Sequence, residues 1–149
     1  MISVVFSKMN KIFLLLCIIS SVLLAQFSKV NHIVSDTKTQ LQWQDNEVGT
    51  TMPWSDAISY CEDLSLGDYE DWRLPNVVEL NSIIDDSNTT QIINNNFEFI
   101  APLSYYSMYW SSTSYEYSNT SAWALQIATG DTFIYLKTKY YYVRCVRGS

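Results

Sequence analysis

The sequence predicts an α+β domain: an N-terminal β-hairpin, two helices, then an antiparallel sheet, with one disulfide from the first helix to the last strand. Three observations lead there. Apolar residues recur at helical spacing from Trp54 to Leu64 and again from Val77 to Ile84. Farther on, Trp123, Leu125 and Ile127 alternate with Ala122, Ala124 and Gln126, the period of a strand. Finally, of three cysteines, only Cys61 and Cys145 remain once an N-terminal export segment is set aside.

That segment comes first in the chain. Lys8 and Lys11 precede an apolar run over residues 12–24, and the small residue Ala25 follows. This is the order of a secretory signal, so residues 1–25 are expected to be a signal peptide and residues 26–149 the domain. The alternatives are a retained anchor, for which the run falls short of about 20 spanning residues, and a lipoprotein signal on Cys17. Leu14, Leu15 and Leu16 ahead of Cys17 do not supply the small residue that lipid attachment needs. The expected compartment is periplasmic or secreted, with no stable membrane insertion after cleavage. Cys61 and Cys145 would there meet an oxidising environment and pair.

The 149 residues are 48% hydrophobic, 15% aromatic and 16% charged, which fits one globular domain and excludes a disordered tail. The net charge of -6 becomes -8 without Lys8 and Lys11, leaving seven basic against 15 acidic residues. Nucleic acid and anionic membrane are therefore disfavoured, since both need phosphate neutralised by Lys and Arg.

In chain order, residues 31–34 and 41–44 are short apolar stretches around the turn-prone Ser35-Asp36-Thr37-Lys38, which predicts the hairpin. Pro53 suits the first turn of a helix whose apolar stripe is Trp54, Ala57, Ile58, Cys61 and Leu64, with Gly67 ending it. Asn76 can cap the second helix, and Glu79 can reach back to it as a capping box. Residues 85–96, rich in Asp, Asn, Ser and Thr, predict a loop. Gly130-Asp131 turns the alternating segment into residues 132–137, and residues 140–146 close the chain with Val143 and Cys145 on one face.

Several of these residues form a set. Trp54-x-x-Ala57-x-x-x-Cys61, Asp71-Trp72-Arg73-Leu74-Pro75 with Glu79-Leu80, Tyr109-Trp110-Ser111-Ser112-Thr113, Ala122-Trp123, Gly130 and Val143-Arg144-Cys145-Val146-Arg147 occur in that order. The set resembles the DUF1566 family, the module named after the C-terminal domain of the Legionella collagen-like adhesin, from about Ile33 to Arg147. The resemblance implies a C-type-lectin-like fold in which a helix cysteine pairs with a last-strand cysteine. It also implies a role among cell-surface adhesion modules, in a wider fold that hosts glycan binders, protein binders and formylglycine-generating enzymes. Two turns depart from the family pattern. Gln40 follows Thr39, and Asp68 follows Gly67, where glycine is usual. Both are expected to alter turn geometry rather than chemistry.

The expected function is an exported, non-catalytic binding module for an extracellular glycan or protein. The alternative is a structural domain, or an inactive relative of the formylglycine-generating enzymes, with no small ligand. No catalytic residue is assigned. His32 is the only histidine and has no sequence partner to orient it, while Glu62-Asp63, Glu70-Asp71 and Asp85-Asp86 read as solvated acids. Asp85, Asp86, Asn88 and residues 94–96 offer oxygens for Ca²⁺ but lack the Glu-Pro-Asn and Trp-Asn-Asp signatures of sugar-binding lectins. No metal or cofactor is expected. Arg73 could meet a ligand carboxylate, yet pairing with Asp71 or Glu79 is the favoured reading, and Trp110 and Trp123 are assigned to the core.

The candidate ligand contacts are Tyr105, Tyr106, Tyr109, Tyr115 and Tyr117, set among small polar residues. Tyrosine supplies rigid amphipathic contact area at low entropic cost, which suits a binding loop. Packing of alternate tyrosines on a sheet stands beside that reading.

Overall fold

The computed structural model describes residues 26–47, 49–85, 87 and 93–148. The expected signal segment lies outside them, as do Asp86 and Asn88 of the acidic loop. None of the described helices is long and apolar enough to cross a membrane.

The chain begins with a three-stranded meander, β1 (Phe27–Val30), β2 (Ile33–Asp36) and β3 (Leu41–Gln44). Two helices follow, α1 (Trp54–Glu62) and α2 (Val77–Asn81). A second meander comprises β4 (Met108–Tyr115), β5 (Ser118–Gln126) and β6 (Thr132–Leu136), and β7 (Val146–Arg147) ends the fold. The architecture is α+β, but with two antiparallel sheets where one was expected. β7 returns to pair with β3, giving the order β1-β2-β3-β7, while β4-β5-β6 stand as a separate sheet.

The first hairpin is displaced from its predicted position. Asn31 and His32, expected in a strand, form a two-residue turn with φ of 46° and 66° between the paired Val30 and Ile33. Tight hairpins of this kind need left-handed residues, and asparagine tolerates that region. Ser35 and Asp36, expected in the turn, belong to β2. The Asp36 carboxylate shapes the next turn by accepting from the Lys38 amide (2.8 Å) and the Thr39 hydroxyl (2.7 Å).

In α1, Ala57 and Cys61 are buried and Trp54 and Ile58 half-buried, while Ser55, Asp56, Ser59 and Glu62 face water. Pro53 precedes the helix as its extended N-cap, and the helix ends before Gly67. Gly67 instead opens a tight turn, in which Leu66 and Tyr69 exchange backbone hydrogen bonds around Gly67 and Asp68. The α2 capping box is present: the Asn76 side chain accepts from Val78 and Glu79, and the Glu79 carboxylate accepts from the Asn76 amide. The helix is short, and its Ser82 C-cap bonds back to the Glu79 carbonyl at 2.7 Å.

Gln40 (φ 61°) and Asp68 (φ 62°) hold the left-handed conformation that glycine favours. Both departures therefore sit where a non-glycine side chain costs more than glycine would. Gln40→Gly is expected to raise the unfolding free energy by about 0.5–1 kcal/mol. Asp68→Gly should gain less, because aspartate tolerates this region better. Paired thermal melts of the three proteins check both values.

Two core clusters flank the second sheet. Tyr109 and Leu125, register partners across β4 and β5, join Trp43, Leu80, Ile83 and Ile93 on one side. Met108, Trp110, Ala122 and Ala124 join Ala57, Cys61, Trp72 and Cys145 on the other. The alternation in β5 thus separates two apolar surroundings. The indole N–H groups of Trp54, Trp72 and Trp110 donate to the carbonyls of Ser111, Leu66 and Met52, which satisfies the polar tips of these three.

Cys61 and Cys145 form the disulfide, with Cα atoms 5.4 Å apart and both residues fully buried. It ties α1 to the residue just before β7.

Candidate functional site

The structure divides the five candidate tyrosines. Tyr109 is core: its hydroxyl accepts from the Ala101 amide at 3.0 Å, and no surface is left for a ligand. The alternation of β4 turns it inward, which corrects its assignment as a contact. Tyr105 and Tyr106, 70% and 90% exposed, precede β4, and the Tyr105 carbonyl accepts from the Gln126 side chain at 2.8 Å. Tyr115 and Tyr117 lie at the other end of that strand. Eight strand residues separate the two groups by roughly 20 Å or more.

At the far end the aromatics converge. Tyr115 pairs with Ser118, so Glu116 and Tyr117 form the tip of the β4–β5 hairpin. The Tyr115 ring lies 5.4 Å from Tyr117 and 6.2 Å from Trp123, both edge-to-face. Tyr117 is 79% exposed, while Tyr115 and Trp123 are half-buried. Trp123, expected in the core, therefore stands at its margin. Trp123 is the register partner of Ile134, and Ser121 that of Leu136, so alternation puts Ile134 and Leu136 on the same face of the sheet. Both are exposed. The result is an aromatic ridge on a paired sheet, its central ring held between two others.

Arg73 is engaged internally. Its guanidinium makes a two-pronged contact with Glu79 (2.8 and 2.7 Å) and also donates to the Gly148 carbonyl (3.2 Å). For Glu79, burial alone would raise the carboxyl, but hydrogen bonds from Arg73 and the Asn76 amide hold it below its ordinary value. The Asp-Trp-Arg-Leu-Pro motif thus links the α2 cap to the C-terminal segment.

His32 is exposed in the first hairpin turn, beside Phe99 at 6.3 Å between ring centroids. In the acidic loop, Asp85 accepts from Ser87, and Asn94 accepts from Asn96. Among the described residues no group of three or more His, Cys, Asp or Glu is placed to hold a metal.

A buried charge network had no sequence signal beyond Arg144 lying in a family motif. Asp45, fully buried, accepts from Lys29 (2.6 Å), Arg144 (3.0 Å) and the backbone amides of Glu98 (2.9 Å) and Phe99 (3.0 Å). Arg144, only 2% exposed, also donates to the carbonyls of Gln44 and Phe99. Burial by itself pushes the Asp45 carboxyl up, but the Lys29 and Glu98 hydrogen bonds and the Arg144 charge outweigh it and hold the group below the usual aspartate value. The network pins the backbone at residues 98–99 between β3 and the C-terminal segment.

No curated protein matches the chain significantly. The model of the Lcl C-terminal domain matches residues 32–147, which is most of the chain and takes in every strand but β1, both helices and the disulfide, and the protein belongs to that family.

Proposed function

We propose that the protein is an exported, non-catalytic binding module of the adhesion or cell-surface type, engaging an extracellular glycan or protein through the ridge of Tyr115, Tyr117 and Trp123. The observation that carries this reading is the exposed Tyr117 set edge-to-face on half-buried Tyr115, which is itself edge-to-face with half-buried Trp123 at the end of a paired sheet. Such rings are already ordered, so little side-chain entropy remains to be lost on contact. Tyrosine and tryptophan also dominate the energetic centres of interfaces. Export is supported by the disulfide, which persists in oxidising compartments. Because Cys61 and Cys145 are joined and buried, the sulfurs serve structure rather than thiol chemistry. The C-type-lectin-like fold implied by the family motifs belongs to the same reading.

Tyr117→Ala is the direct test. It should weaken binding of whichever glycan or protein the wild type retains by about tenfold or more, a loss of roughly 1.4 kcal/mol or more. The melting temperature should stay within about 2 °C of wild type, since the side chain is mostly exposed. Unchanged binding would move the contact surface elsewhere, and a large drop in melting temperature would mark Tyr117 as structural.

A further inference from the structure

An open cavity of about 300 Å³ lies on the first sheet, between the Asn31-His32 turn and the Gly67-Asp68 turn. Its size is at the lower end of the roughly 300–1,000 Å³ of small-ligand sites, enough for one small ring. Ile33 and Tyr69 supply its apolar surface, and Asn31, Ser35 and Gln42 its polar groups.

The cavity is held in shape from several sides. The Arg147 guanidinium sits 3.5 Å from the Tyr69 ring centroid. Asp71 anchors that guanidinium at 2.6 and 3.1 Å, and the Gln42 side-chain oxygen accepts from it. Tyr69 is thereby fixed, and the cation beside it is already neutralised. A Cβ on Gly67 would come within 2.4 Å of the Ile33 Cδ1, so glycine lets this turn close on the cavity. Both flanking turns carry two successive residues with positive φ, and three of the four are not glycine.

The polar groups are uncharged and incompletely used. Gln42 gives one amide hydrogen to the Ser35 hydroxyl oxygen at 3.2 Å, which leaves its second hydrogen and the Ser35 hydroxyl hydrogen to donate. Asn31 carries both a donor and an acceptor on an exposed residue. The charged residues beside Tyr69 in sequence, Asp68 and Glu70, are exposed and acidic, which disfavours an anion. An aromatic wall beside neutral hydroxyl and amide partners matches a ligand with an apolar C–H face and a rim of hydroxyls.

We infer that this cavity is a second binding site, for a single neutral pyranose sugar stacked against Tyr69 and hydrogen-bonded by Asn31, Ser35 and Gln42. It lies on the first sheet, whereas the aromatic ridge lies on the second, and it stands whether or not the ridge binds a ligand.

The test is a titration of the nitrogen-labelled, oxidised protein with methyl glycosides of glucose, galactose, mannose and N-acetylglucosamine, with glucuronate and sulfated glucose in parallel. Amide chemical shifts are followed. At least one neutral glycoside should shift the amides of Asn31, Ser35, Gln42 and Tyr69 saturably, with millimolar affinity. Tyr69→Ala should weaken this by about tenfold. Asn31→Gly, which keeps the left-handed backbone and so the fold, should weaken it by about threefold or more. Tyr117→Ala should leave these shifts unchanged, which separates this site from the ridge. The inference is overturned if no neutral glycoside shifts these amides, if the anionic sugars bind more tightly, if Asn31→Gly and Tyr69→Ala bind as wild type, or if Tyr117→Ala abolishes the shifts.

Discussion

Asp45→Ala should lower the unfolding free energy by about 3–5 kcal/mol, because it strands a buried guanidinium and two backbone amides at once. Arg144 would keep its neutral acceptors, the carbonyls of Gln44 and Phe99 and the Tyr109 hydroxyl, with its charge uncompensated at 2% exposure. The amides of Glu98 and Phe99, now satisfied at 2.9 and 3.0 Å, would lose their acceptor. Asp45→Asn should cost less, since an amide oxygen still accepts from the backbone. Urea denaturation gives both values from the shift in midpoint. A loss below about 1 kcal/mol for the alanine variant would mean that the network does not hold residues 98–99 in place.

The same group sets an acid limit. The folded protein holds Asp45 below its unfolded value, so the ionised form is favoured by folding. Its contribution is complete above the unfolded pKa of about 3.9 and is lost as pH falls through the lower folded value. Wild type should therefore lose stability below about pH 4 more steeply than Asp45→Asn, and the two should run parallel between about pH 5 and 8. Melting temperatures measured across that range decide the point.

The second large effect concerns the disulfide. Joining residues 84 apart restricts the unfolded chain by about 4–5 kcal/mol in the loop-entropy description, and removal of a native bridge from a small exported domain costs about 2–5 kcal/mol in practice. The double variant Cys61→Ala, Cys145→Ala should lose stability in that range. Against a typical total of about 5–15 kcal/mol, such a variant would be marginal at physiological temperature. Because both sulfurs are buried, mild reductant should act on the native protein slowly and only through unfolding. Mass-resolved thiol labelling with and without urea distinguishes this from direct attack.

Much of the fold was legible where the signal is local. The Asn76–Glu79 capping box, the buried stripe of α1 and the Cys61–Cys145 pair each follow from a short motif or a count, and each is present. What was not legible depends on long-range pairing. β1 carries little apolar patterning, with Phe27 its one buried residue, and its place is set by pairing with β2. β7 leaves its sequence neighbours for β3, a choice visible only once the disulfide and the Asp45–Arg144 contact are in place.

The candidate site was half legible for the same reason. The tyrosine-rich stretch was evident in composition, but a strand with one core cluster on each side does not sort polar from apolar. Tyr109 was thus indistinguishable from Tyr115 in sequence, though one is sealed in the core and the other supports the ridge. Trp123 carries a core residue's chemistry and reaches the surface because its neighbours across β6, beginning with Ile134, are exposed. Arg144 was hidden by its type: a charged residue between Val143 and Cys145 reads as solvent-facing until Asp45 is found against it.

The central claim is that the hairpin-end ridge is a contact surface. The measurement that reaches it most directly is parallel binding of the oxidised wild type and Tyr117→Ala to a broad array of glycans and extracellular-matrix proteins, with calcium and then with chelator. The account predicts hits for wild type, weakened about tenfold or more in Tyr117→Ala, with folding unchanged. A blank array for the folded wild type, or hits that Tyr117→Ala leaves intact, would contradict it and favour a structural role for the domain.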